Sequence, residues 1–127
     1  MATVLVVDDD EAVRNLTVMI LKQKGYDVLP ASNGLEALMV YSSYHQKIDL
    51  VLTDVDMPQM NGVELAARIH ARDPAEKILL MTGRAFDSSN GAGSLPLLAK
   101  PFMPGDLIVA VEGALRESEN GTPRTNV

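Results

Sequence analysis

Short runs of β-branched and aliphatic residues alternate with helical patterns along most of the 127 residues, and this alternation limits the possible folds more than any other feature. The first run, Val4 to Val7, carries no polar residue facing either side, which marks a strand buried on both faces. From Asp10 to Lys24, Val13, Leu16 and Ile20 follow helical spacing, and Gly25 stands where a helix commonly ends in a left-handed residue. The same reading predicts strands at Asp27 to Ala31, Asp49 to Thr53, Lys77 to Met81 and Leu95 to Ala99. Helices are predicted at Leu35 to Tyr44 and Val63 to Ala71, and Leu107, Ile108, Val111 and Leu115 line one face of a last helix. Five βα units imply an α/β fold: a mostly parallel sheet with right-handed crossovers and helices on both faces.

A chain of this length holds one domain with a proper core. Eleven Lys and Arg against seventeen Asp and Glu give a net charge of −6, which repels a phosphate backbone and argues against direct nucleic-acid binding. There is no cysteine, so disulfides, thiolate nucleophiles and Cys-based zinc sites are excluded, in keeping with a reducing cytoplasm. His45 and His70 share no ligand spacing. Only a handful of apolar residues precede Asp8, too few for a signal peptide or a membrane span, so a cytoplasmic location is expected. Met19, Met39 and Met81 are read as core filler.

The segment 84–94, RAFDSSNGAGS, has poor helix propensity and no apolar stripe. A fourth helix there is expected to be short or missing. The domain is read as residues 1–118, and 119–127 as a polar tail or the start of a linker.

In parallel α/β sheets, ligand chemistry gathers at the carboxyl ends of the strands. The first strand delivers Asp8, Asp9, Asp10 and Glu11, the third Asp54 and Asp56, the fourth Thr82 and the fifth Lys100. Asp10 and Glu11 suit the start of the first helix, as cap and first-turn acid. Two carboxylates about 4 Å apart repel by roughly 4 kcal/mol at an effective dielectric near 20, so clustered acids take up protons or hold a cation. Hard oxygen ligands without His or Cys select Mg²⁺, with Mn²⁺ also suited, and Mg²⁺ keeps waters that a phosphate can displace. A carboxylate is itself a competent nucleophile towards phosphorus, and Asp54 is the candidate.

With these residues in place, the chain resembles the receiver domain of two-component response regulators from Thr3 to about Arg116. The resemblance is carried by VLVVDDD (Val4 to Asp10), LTDVDMPQMNG (Leu52 to Gly62), LLMTG (Leu79 to Gly83) and LLAKPF (Leu97 to Phe102), in the family's order. It implies a flavodoxin-like, doubly wound five-stranded sheet of order 2-1-3-4-5. It makes Asp54 the phosphoacceptor for a histidine kinase or phosphotransfer protein. Asp8 and Asp9 become the metal-site acids, Asp9 the more direct ligand, and Asp56 offers its backbone carbonyl to Mg²⁺. Thr82 and Lys100 each reach a phosphoryl oxygen, and the Lys100-Pro101 bond is cis. Such a module assists its own phosphorylation and dephosphorylation without being an enzyme on other substrates. It acts alone or as a piece of a hybrid kinase or longer regulator.

Three departures from the family pattern stand out. Leu97 fills the aromatic switch position, the stretch from Thr82 to Lys100 is short, and Asp56 adds a carboxylate two residues after the acceptor. The competing readings are a small Mg²⁺-dependent phosphohydrolase of the haloacid dehalogenase type and a receiver-like interaction module that is never phosphorylated. The first wants its DxD after the first strand and room for a cap. The second is at odds with the complete set of Asp8, Asp9, Asp54, Thr82 and Lys100. A calcium loop starting at Asp54 is excluded by Pro58 and Gln59, which stand where the EF-hand pattern wants an acid or Asn and a Gly.

Overall fold

The computed structural model describes residues 2–83 and 95–119. Its elements in chain order are β1 (Thr3–Val7), α1 (Glu11–Gln23), β2 (Asp27–Ala31), α2 (Gly34–Ser43), β3 (Leu50–Asp54), α3 (Gly62–Arg72), β4 (Ile78–Thr82), β5 (Leu97–Ala99) and α4 (Pro104–Glu119). All four strand pairings are parallel, and the sheet order is β2-β1-β3-β4-β5. The expected weak helix at 84–94 and the tail beyond Glu119 lie outside the described residues.

Composition sorts the strands across the sheet. β1, β3 and β4 are buried along their whole length, because their predominantly apolar runs, polar only at their ends, can face helices on both sides. β2 and β5 occupy the edges and are only partly buried. Pro30 sits in β2, and proline, which has no N–H to give to a ladder, is tolerated at an edge.

Alternate side chains of the strands feed two separate cores. Leu5, Val7, Val51 and Leu80 pack with Ala37 of α2 and with Leu65 and Ile69 of α3. Val4, Val6, Leu50, Leu52, Leu79 and Met81 pack with Ile20 and Leu21 of α1 and with Leu107 and Val111 of α4. Each full side chain so buried contributes roughly 1.5–3 kcal/mol.

The helix ends follow local chemistry. The Asp10 carboxylate accepts from the Ala12 and Val13 N–H groups at 3.0 and 3.2 Å, and Gly25 has a φ of 104°, where a side chain would be strained. Asn61 and Glu64 form a reciprocal capping box on α3. Pro104 opens α4 where its missing N–H costs nothing.

Two expectations about the core fail. On α1 the buried face is Thr17, Ile20 and Leu21; Leu16 is 47% exposed and Met19 50%. The true stripe lies one residue round from the predicted one, since the Thr17 hydroxyl donates to the Val13 carbonyl at 2.8 Å and so enters the interior satisfied. Met39 is 69% exposed on α2 and fills no core, whereas Met81 is fully buried.

Candidate functional site at the carboxyl edge of the sheet

The ends of β1, β3, β4 and β5 bring the acids, the hydroxyl and the amine together. Asp8 continues the β1 ladder, donating its N–H to the Ala31 carbonyl at 3.1 Å, and its carboxylate accepts from the Asp10 N–H at 2.9 Å. Asp54 closes β3 and is almost fully buried; Asp9 is exposed. One carboxylate oxygen from each of Asp8, Asp9 and Asp54 lies within 4.8 Å of the others.

Lys100 reaches this group from the far edge of the sheet. Its N–H donates to the Thr82 carbonyl at 2.8 Å, and the peptide bond to Pro101 is cis. The ammonium lies 2.9 Å from Asp8 Oδ2 and 3.4 Å from Asp54 Oδ1. Strand counting puts Lys100 about 14 Å from the first strand, and the long side chain closes that gap.

Electrostatics follow from the crowding. Burial, and after it the Asp8 charge, push the Asp54 carboxyl up to about 6; Lys100 and the Asp56 N–H pull the other way. For Lys100, burial lowers the pKa, but the hydrogen bond to Asp8 and the charges of Asp54 and Asp8 outweigh it, so the ammonium is held above the ordinary lysine value. Three carboxylates against one ammonium leave the pocket negative, and hard oxygen donors suit a divalent cation.

Asp56 and Thr82 form a second pair beside the first. The Thr82 hydroxyl donates to Asp56 Oδ2 at 3.4 Å, and the Asp56 N–H donates to Asp54 Oδ1 at 3.3 Å. The Asp56 side chain stands outside the three-carboxylate group, and the two residues engage in further contacts.

The loop from β3 to α3 holds Asp54 from behind. The Gly62 N–H donates to the Val55 carbonyl at 3.0 Å, and a Cβ on Gly62 would lie 2.3 Å from the Asp54 carbonyl oxygen. Gln59 turns this loop with a φ of 70°, the Met60 N–H donating to the Pro58 carbonyl at 2.7 Å, as in a γ-turn.

All six residues singled out from the sequence therefore stand at one edge. Two supporting residues had gone unnoticed. Gly62 was visible only as the end of a motif, and Arg14 carries no signal in the sequence beyond being a cation within the first helical pattern. Its Nη1 donates to the Asp8 carbonyl at 2.8 Å.

Comparison with known proteins decides the family. Residues 4–112 match the response regulator receiver domain. The chain belongs to that family. This receiver is 36% identical over 120 residues to the response regulator receiver protein CpdR of Brucella abortus, covering 91% of this chain and 98% of that one. It is 34% identical over 128 residues to the alkaline phosphatase synthesis transcriptional regulatory protein PhoP of Bacillus subtilis, covering 98% of this chain and 52% of PhoP. The receiver thus spans about half the length of that regulator. A crystal structure of a CheY-like receiver domain protein from Methanospirillum hungatei superposes with a TM-score of 0.83 at 31% identity, over 95% of this chain and 98% of that one. Receivers are the phosphoacceptor modules of two-component signalling. Among the described residues of this one, no helix is long and apolar enough to cross a membrane.

Proposed function

We propose that this receiver takes a phosphoryl group from a phosphohistidine donor, on a sensor histidine kinase or a phosphotransfer protein, onto Asp54. The observation that carries this reading is the Lys100 ammonium placed against both Asp8 and Asp54, with the Asp9 carboxylate in the same group. An Asp54 Oδ attacks phosphorus, the N–P bond of the phosphohistidine breaks, and the leaving imidazole regains its nitrogen lone pair. Lys100 is within reach of the transferring oxygens, where its charge offsets theirs. Thr82 exchanges its bond to Asp56 for one to a phosphoryl oxygen, which biases the loops after β3 and β4 between two states.

Asp8, Asp9, Asp54 and the Asp56 carbonyl are the candidates to hold Mg²⁺. When bound, Mg²⁺ supplies Lewis-acid neutralisation of the phosphoryl oxygens. The chain's own groups assist both the transfer and the later hydrolysis of the aspartyl phosphate. No observation favours the phosphohydrolase or the silent module.

The test is intact mass after incubation with acetyl phosphate and Mg²⁺. A single phosphoryl adduct is expected on the unaltered chain and none on Asp54→Asn. An adduct of equal yield on both would overturn the assignment.

A further inference from the structure

Arg14 lies on α1, half-buried, and its guanidinium does not pair with the nearby acid cluster through a side chain. Nη1 donates to the backbone carbonyl of Asp8 at 2.8 Å. That carbonyl belongs to the peptide joining Asp8 to Asp9, the two acids at the end of β1. Asp8 is then held at each of its polar groups: its N–H by Ala31, its carboxylate by the Asp10 N–H and the Lys100 ammonium, and its carbonyl by Arg14.

Asp9 has no such burial to fix it, and the plane of the preceding peptide sets where its side chain starts. We infer that Arg14 is a positioning residue for the cation site, holding the Asp8-Asp9 peptide so that the Asp9 carboxylate stays beside those of Asp8 and Asp54. The inference rests on the metal-assisted phosphotransfer proposed above.

Coulomb's law and positioning make opposite predictions for Arg14, which allows a clean test. Removing a positive charge near a cation site strengthens cation binding if charge alone matters. Losing a group that orients a ligand weakens it, typically 10–100-fold. The experiment is a titration of the unphosphorylated chain with MgCl₂, followed by two-dimensional amide NMR, on the unaltered chain, Arg14→Met and Arg14→Lys. The expected result is a Mg²⁺ affinity roughly tenfold weaker in Arg14→Met, with most of the loss recovered in Arg14→Lys, which keeps the charge and one long donor. Melting temperatures without Mg²⁺ should stay close together, because Arg14 is only half-buried and the variant loses a single hydrogen bond to the backbone. Should Arg14→Met give a collapsed spectrum, Arg14→Gln replaces it, with the same weakening expected. Unchanged or tighter Mg²⁺ binding in the neutral variant overturns the role of Arg14 and leaves the proposed function standing. Absence of saturable Mg²⁺ binding in the unaltered chain overturns the metal reading itself.

Discussion

Lys100 and Asp8 are separated by 92 positions in the chain, yet the ammonium and the carboxylate meet at 2.9 Å. Lys100 is the only cation touching two of the clustered acids among the described ion pairs. Removing it leaves their mutual repulsion without a partner. Lys100→Met should cut the rate of phosphorylation by acetyl phosphate by about 100-fold, the usual cost of one preorganised donor to a developing oxyanion. It should also raise the Asp54 pKa further. Rates from intact-mass time courses and carbon-13 NMR of the Asp54 carboxyl check the two effects separately. A rate within a few-fold of the unaltered chain would count against a direct role.

The pH dependence of stability should carry the mark of Asp54. Folding raises this carboxyl from 3.8 to about 6, so between those values the folded chain keeps a proton that the unfolded chain has lost. Stability contributed by this group is therefore present at low pH and falls as pH rises through about 6. The neutral-pH penalty is on the order of 3 kcal/mol. Asp54→Asn should melt higher than the unaltered chain at pH 7.5 without divalent cations, and the gap should close towards pH 4. Thermal unfolding at a series of pH values measures it.

Chemistry should follow the same carboxyl in the opposite sense. Attack on phosphorus needs the ionised form, so the rate with a donor of constant protonation should climb as pH passes about 6. Saturating Mg²⁺ favours the carboxylate and should move that midpoint down.

Mg²⁺ should also stabilise the fold, since the unfolded chain offers no assembled site. At ten times the dissociation constant the gain is about 1.4 kcal/mol. Asp9→Asn should lose most of it. Urea denaturation with and without MgCl₂ gives the comparison, and an equal gain in the variant would remove Asp9 from the site.

Two glycines should respond in opposite directions to alanine. A methyl on Gly62 would meet the Asp54 carbonyl oxygen at 2.3 Å, the Asp54 carbonyl carbon at 3.0 Å and the Val55 Cα at 3.0 Å, all backbone atoms that cannot step aside. Gly62→Ala should cost about 1–3 kcal/mol and slow phosphorylation by shifting the acceptor. Gly113, within α4, has nothing within 4 Å of its added methyl, and Gly113→Ala should stabilise by about 0.5–1 kcal/mol. Urea denaturation reports both.

Much of this was legible in the sequence for a local reason. Burial on both faces favours strands without polar residues, so Val4 to Val7 declares itself central, while the order of the other strands followed from the family resemblance. The acids, hydroxyl and lysine are legible because they end such runs. The face of α1 was not: Leu16 and Thr17 differ by one step round the helix, and apolarity chose the wrong one. Burial of Thr17 depends on a hydrogen bond to Val13, which a hydropathy pattern does not register.

The amino-acid order by itself determined the βα alternation, the central place of the first strand and the residue types at each strand end, because these depend on side-chain chemistry and period. Only the tertiary structure decided that Lys100 pairs with Asp8 as well as Asp54, that Thr82 gives its hydroxyl to Asp56, and that Arg14 and Gly62 brace the backbone of the acids. Those contacts are set by distances of a few ångströms between remote segments, and such distances exist only once the sheet has brought the segments together.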